Sequence, residues 1–193
     1  GSAPIPLDLV PLTEGRVLDA GDFTIDCFPV RHRDTDSFAF SFQSAMRRHL
    51  LVDQLVALRV PDGPVRRELA EGRQVTLDDG RTIDPEQVLG PAEGRKKLVI
   101  VGDTETTEGL ADHVSDADLL VIEATFLQRD AATARDYGHL TAGEAAALAA
   151  RSGVKQLVLT HISGRYPDED ILAEATASFA NSRVASDFDR ITI

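Results

Sequence analysis

Four positions combine metal-ligand chemistry with a place at the edge of a predicted element. His32 follows "CFPVR", Asp103 follows "LVIVG" and His161 follows "LVLT", each where an apolar run stops. His139 stands in "YGHLTAGE", at the mouth of an alanine-rich stretch. Histidine and aspartate are the set that zinc accepts when cysteine is absent, and a carboxylate can bridge the two ions of a two-metal hydrolytic site. Cys27 is the only cysteine, so neither a disulfide framework nor a Cys-based zinc site can form within one chain, and a reducing, cytosolic setting is expected. Taken singly, a strand-end histidine is more often a hydrogen-bonded structural residue. Asp103 in "GDT" also has the turn chemistry of an N-cap. Spacing alone is compatible with a metal hydrolase and goes no further.

These residues need a scaffold, and the hydrophobic pattern supplies one. "FTIDCFPV" alternates in part, and Phe38, Phe40 and Phe42 in "SFAFSFQ" repeat with the period of two of a half-buried strand. The link between them, "RHRDTD", is polar and carries His32. From Leu98 the pattern becomes α/β. "LVIVGD", "ADLLVIEATF" and "VKQLVLTH" read as buried strands, the second ending near Glu123. Thr141 to Ser152 reads as a helix closed by Gly153, with Thr141 as N-cap and Glu144 as its capping-box partner. A last helix is expected around Asp168 to Phe179. Strands alternating with helices predict a sheet with helices packed on it, and polar strand ends are where such folds place sites.

Residues 43–97 differ in kind. Short helices are expected around "RVPDGPVRREL" and a small hairpin or loop in "LDDGRTIDPEQV". Between Gln43 and Lys97 ten Arg or Lys stand against nine Asp or Glu, whereas the rest of the chain carries ten against twenty-three. A net charge of -12 ordinarily argues against non-specific nucleic-acid binding, but here an acidic body carries a neutral, arginine-studded insert. Such an insert could meet a polyanion, or its arginines could simply solvate a surface helix. No run approaches the roughly 18 apolar residues of a membrane span, so no membrane association is expected. No signal-peptide pattern opens the chain, which begins on Gly1.

Several motifs in order resemble those of ribonuclease Z, the tRNA 3′-processing endonuclease of the metallo-β-lactamase superfamily. They run from about Pro6 to the C-terminus: "FPVRH", the "VPDGP" turn with the residues after it, "GDT", "EATF", "GHLTA", "LVLTHISGRY" and a late "SDF". The resemblance implies an α/β fold, the C-terminal portion of a metallo-β-lactamase αββα sandwich, with a flexible arm inserted at 43–97 within a partial domain spanning 1–193. By position, His32 matches a ligand to one zinc, Asp103 the carboxylate bridging two zincs, and His161 a ligand to the second. Glu123 matches the acid of the family's His-Glu-Ala-Thr motif and His139 the histidine of its His-Ser-Thr motif. Together these two are expected to assist protonation of the leaving oxygen. Val60 to Pro64 matches the Gly-Pro motif of an arm that grips the tRNA elbow, which makes Gly63, Pro64, Arg66 and Arg67 expected substrate contacts. Arg165 in "SGRY" is a candidate phosphate contact, or else the partner in a surface salt bridge.

The implied function is zinc-dependent removal of the 3′ trailer from tRNA precursors, in a cytoplasmic homodimer using two zinc ions. The alternatives are another metallo-β-lactamase-fold phosphodiesterase and a non-catalytic tRNA-binding or dimerising fragment. Three departures bear on the choice. Ile122 stands where the family usually has histidine before Glu123, "GHLT" replaces His-Ser-Thr, and "GDTETT" lacks the family's common continuation. No His-x-His-x-Asp-His occurs in the chain, which is therefore expected to correspond to about the C-terminal two-thirds of such an enzyme. With only His32, Asp103 and His161 as ligands, fewer than the three usual per catalytic zinc, weak zinc binding and poor cleavage are expected of this chain alone.

Overall fold

The structure, a computed structural model, describes residues 8–193; residues 1–7, with which the expected domain begins, lie outside the described residues. Contacts divide the chain into two compact units, residues 45–95 and the remainder on either side of them.

The larger unit opens with β1 (Gly15–Asp19), β2 (Phe23–His32) and β3 (Thr35–Ser44), all antiparallel neighbours. The polar link expected between the second and third strands is mostly strand. His32 pairs with Thr35, and only Arg33 and Asp34 form the turn, with Arg33 at φ 51°. So tight a turn holds His32 at a defined strand end instead of in a loose loop.

The smaller unit comprises β4 (Arg47–Leu50), α1 (Val52–Ala57), α2 (Pro64–Ala70), β5 (Val75–Thr76), β6 (Thr82–Ile83) and β7 (Leu89–Glu93). The second and third of these strands pair as a small hairpin whose turn and second strand lie in "LDDGRTIDPEQV", and the first pairs with the last. Leu55, Val60, Leu69, Val75, Leu77, Ile83 and Val88 give this unit a hydrophobic core of its own.

The larger unit resumes with β8 (Lys97–Val101), α3 (Ala111–Val114), β9 (Leu119–Glu123), α4 (Ala131–Tyr137), α5 (Ala142–Arg151), β10 (Leu157–Thr160), α6 (Asp168–Ser178) and β11 (Ser182–Val184). Its strands make one seven-stranded sheet in the order β1-β2-β3-β8-β9-β10-β11, parallel from β8 onward. The register places Val99, Leu120 and Leu157 side by side, and likewise Val101, Ile122 and Leu159. All six lie in one core with Ala145, Ala146, Leu148 and Ala149 of α5 and Ile171 and Ala175 of α6. Small alanines let α5 approach the sheet closely, and each fully buried leucine contributes about 1.5–3 kcal/mol.

The other face of the sheet is less covered. Phe40 pairs with Ile100 and Phe42 with Leu98, and these four side chains keep partial exposure, Ile100 at 38 %. The period of two seen in Phe38, Phe40 and Phe42 thus marks the face turned away from the helices.

Parallel strands that end together bring their loops together. Asp103 follows β8, Glu123 ends β9, and His161 follows β10. The start of α5 closes the same end of the sheet. Thr141 there accepts the Glu144 N–H while the Glu144 carboxylate accepts the Thr141 N–H. Replacing Thr141 with alanine should therefore cost about 1 kcal/mol of stability, with serine retaining most of it. Urea unfolding of the two variants provides the check.

Candidate active site

The site is organised around a carboxylate that water does not reach. Glu123 is fully buried, yet each of its oxygens accepts two hydrogen bonds. Oε1 accepts from the Thr104 N–H at 2.7 Å and from His139 Nδ1 at 2.9 Å. Oε2 accepts from the Thr125 hydroxyl at 2.7 Å and from the Leu140 N–H at 3.1 Å. A buried carboxylate is tolerable when its lone pairs are satisfied in this way. The donors come from the loop after β8, the loop after β9 and the approach to α5, so one side chain ties three segments of the site together.

Around this anchor, ligand-type groups converge. Asp103, His139 and His161 each offer a ligand atom, and the three atoms lie within 4.8 Å of one another. His32 is adjacent, its ring centroid 5.2 Å from that of His139, which is itself 5.0 Å from the His161 ring. His139, expected from sequence as a proton donor, therefore also stands within ligand distance of Asp103 and His161.

The histidines are held in defined states. His32 Nδ1 lies 2.9 Å from the Gly138 carbonyl, which can only accept, so Nδ1 carries the proton. His139 Nδ1 donates to Glu123 by the same logic. Each ring is left with a bare Nε2, the arrangement by which second-shell acceptors prepare histidines for metal or proton transfer. His161 adopts φ 54°, an uncommon conformation for a residue with a side chain and a form of local strain that clusters at functional sites. The donor set of carboxylate and imidazole, with no thiolate, fits zinc or a similar divalent ion.

Ile122 bears on the missing motif histidine. Its side chain is fully buried in the core with Val101 and Leu159, on the helix-covered face, and it takes no part in the hydrogen bonds of Glu123.

Arg165 is exposed, with its guanidinium 5.7 Å from the centre of the Phe126 ring, and it makes no ion pair among the described residues. The neighbouring Tyr166 phenol donates to Asp130 at 2.6 Å and anchors this turn. Burial, and then the bond to Asp130, raise its pKa.

In the smaller unit, Gly63 at φ 119° precedes Pro64, which begins α2. Arg66 donates to the Val60 carbonyl at 2.8 Å and pairs with Asp62, and Arg67 pairs with Glu71 at 3.0 Å.

Sequence reasoning missed Thr104, Thr125 and Gly138. All three stood inside motifs already noted, "GDT", "EATF" and "GHLTA", but only the fold shows what they reach. Gly138 ends α4 at φ 77°, and a β-carbon there would lie 2.9 Å from Arg33 Cγ and 3.4 Å from His32 Nδ1. An amide at position 123 would turn its NH₂ toward the Thr104 or the Leu140 N–H, donor against donor. Glu123→Gln should therefore lose roughly 1–3 kcal/mol of stability, measurable by denaturant unfolding.

Comparison with known proteins bears on the family and the fold. The profile of the Beta-lactamase superfamily domain matches residues 56–162. The ribonuclease Z of Bradyrhizobium diazoefficiens is 70 % identical over all 193 residues, which span 64 % of that relative. The chain thus spans somewhat less than two-thirds of the curated relatives it matches. Among solved structures, the metallo-beta-lactamase fold protein YhfI from Bacillus subtilis aligns with a TM-score of 0.55 at 19 % identity, over 87 % of this chain and 48 % of that one. The short form of human tRNase Z aligns with a TM-score of 0.53 at 23 % identity, over 92 % and 46 %. A core sheet with ligand-type residues at its strand ends, a matching profile and near relatives named ribonuclease Z all point one way: the chain belongs to the beta-lactamase superfamily and has the metallo-β-lactamase fold.

Proposed function

We propose that this chain carries part of the active site of a zinc-dependent endoribonuclease that removes the 3′ trailer from tRNA precursors. The observation that carries the reading is the convergence of Asp103, His139 and His161 on a buried Glu123 that orients one of them directly. The near relatives named ribonuclease Z supply the substrate class. Asp103, His161 and His32 are the residues that would hold zinc. A zinc site of this kind supplies Lewis-acid polarisation of the scissile phosphate and a more acidic water.

The chain's own residues account for the remaining roles. Glu123 keeps the His139 Nδ1–H engaged and would stabilise the imidazolium that forms when Nε2 takes up a proton, so Nε2 is the atom that would then pass that proton to the departing 3′-oxygen as general acid. His139 is half-buried, which limits competing water while leaving the ring reachable from the site. Arg165, exposed over an aromatic ring, offers its guanidinium to a phosphate of the RNA backbone. Residues 45–95 form the unit that would engage the tRNA elbow, through the segment with Gly63, Pro64, Arg66 and Arg67. Reading an elbow by shape is how structured RNA is commonly recognised. Homodimerisation and a cytoplasmic setting belong to the same reading. The described residues contain no helix long and apolar enough to cross a membrane.

Given a 3′-extended tRNA precursor and zinc, the protein that carries this chain should release the trailer. His139→Ala should slow the reaction by about 10²-fold or more. Removal of residues 45–95 should abolish this processing while sparing hydrolysis of a small phosphodiester. Equal loss of both activities would instead favour a phosphodiesterase for small substrates.

A further inference from the structure

His161 has two ring nitrogens that compete for the same role, and the structure contains a residue that decides between them. Nδ1 lies 3.6 Å from an oxygen of Asp103, too far for a hydrogen bond. The same Nδ1 lies 2.7 Å from Oγ1 of Thr125. Thr125 is only 7 % exposed, and its Oγ1 is also 2.7 Å from Oε2 of Glu123.

A threonine hydroxyl has one proton and accepts through its lone pairs. If that proton went to His161, the Thr125 and Glu123 oxygens would face each other lone pair to lone pair at 2.7 Å. The Glu123 carboxylate already serves as acceptor for the Thr104 and Leu140 N–H groups. The consistent assignment runs in one direction: His161 Nδ1–H donates to Thr125, and the Thr125 hydroxyl donates to Glu123.

We propose that Thr125 is a positioning residue that commits Nδ1 of His161 to hydrogen bonding, so that Nε2 is the nitrogen left to bind a divalent metal ion. The inference rests on the metal-site reading above and deepens it. Glu123 then governs two histidines, His139 directly and His161 through one hydroxyl. The ring of His161 is fixed from two sides, by this bond and by its backbone at φ 54°.

The test compares the wild-type protein with Thr125→Ser and Thr125→Val by ¹⁵N NMR of the histidine rings, without metal and at a pH where the imidazoles are neutral. Wild type and Thr125→Ser should show His161 as the Nδ1–H tautomer, and Thr125→Val should show the Nε2–H form or a mixture. The ring of His113, stacked on Phe28 and outside the Glu123 network, serves as the internal control for folding and should give the same signals in all three proteins. Calorimetric titration with zinc should then show about 10- to 100-fold weaker binding for Thr125→Val and wild-type binding for Thr125→Ser. Retention of the Nδ1–H tautomer in Thr125→Val, or its loss in Thr125→Ser, would overturn the proposal. Because the tautomer is read without metal or RNA, its outcome stands apart from whether the protein cleaves tRNA.

Discussion

A carboxylate sealed from water must find partners inside the protein, and the way Glu123 finds them shapes this end of the molecule. Its four donors belong to the loop after β8, the loop after β9 and the segment leading into α5. Losing any one of them would leave a buried lone pair unmet, and unmet buried polar groups are expensive. The loops are therefore held as a set, so the groups that could bind a metal are preorganised before any ion arrives. Hydrogen bonds of this supporting kind are what lock the side chains of a site in place.

Placement of the anchor follows from the sheet. Glu123 ends a strand whose preceding residue, Ile122, packs into the helix-covered core, and alternation turns Glu123 the other way. The difference between this chain and the usual His-Glu-Ala-Thr motif thus falls on a core position. Parallel strands on either side then deliver Asp103 and His161 to the same edge, as open α/β sheets do with their ligands.

Much of this was legible in the sequence. The capping box at Thr141 and Glu144, the strand "LVLT" and the period of two in Phe38, Phe40 and Phe42 are local signals, carried by residues three apart or alternating. The charge contrast between residues 43–97 and the rest also needed no structure. The turn before β3 was harder. "RHRDTD" is polar throughout, but all of it except Arg33 and Asp34 is strand, because pairing with β2 overrides the weak local preference of polar residues for loops. Thr125 shows the same limit at a single residue: nothing in "EATF" says that a hydroxyl two residues past Glu123 reaches a histidine 36 positions away.

The sequence by itself determined which residue types stand at the strand ends, where the capped helix begins, and that His32, Asp103, Glu123, His139 and His161 belong to a recognisable set. Only the tertiary structure decided how they share protons and distances. Hydrogen-bond direction and ligand spacing arise between segments far apart in the chain, and burial of Glu123 is what compels those segments to meet.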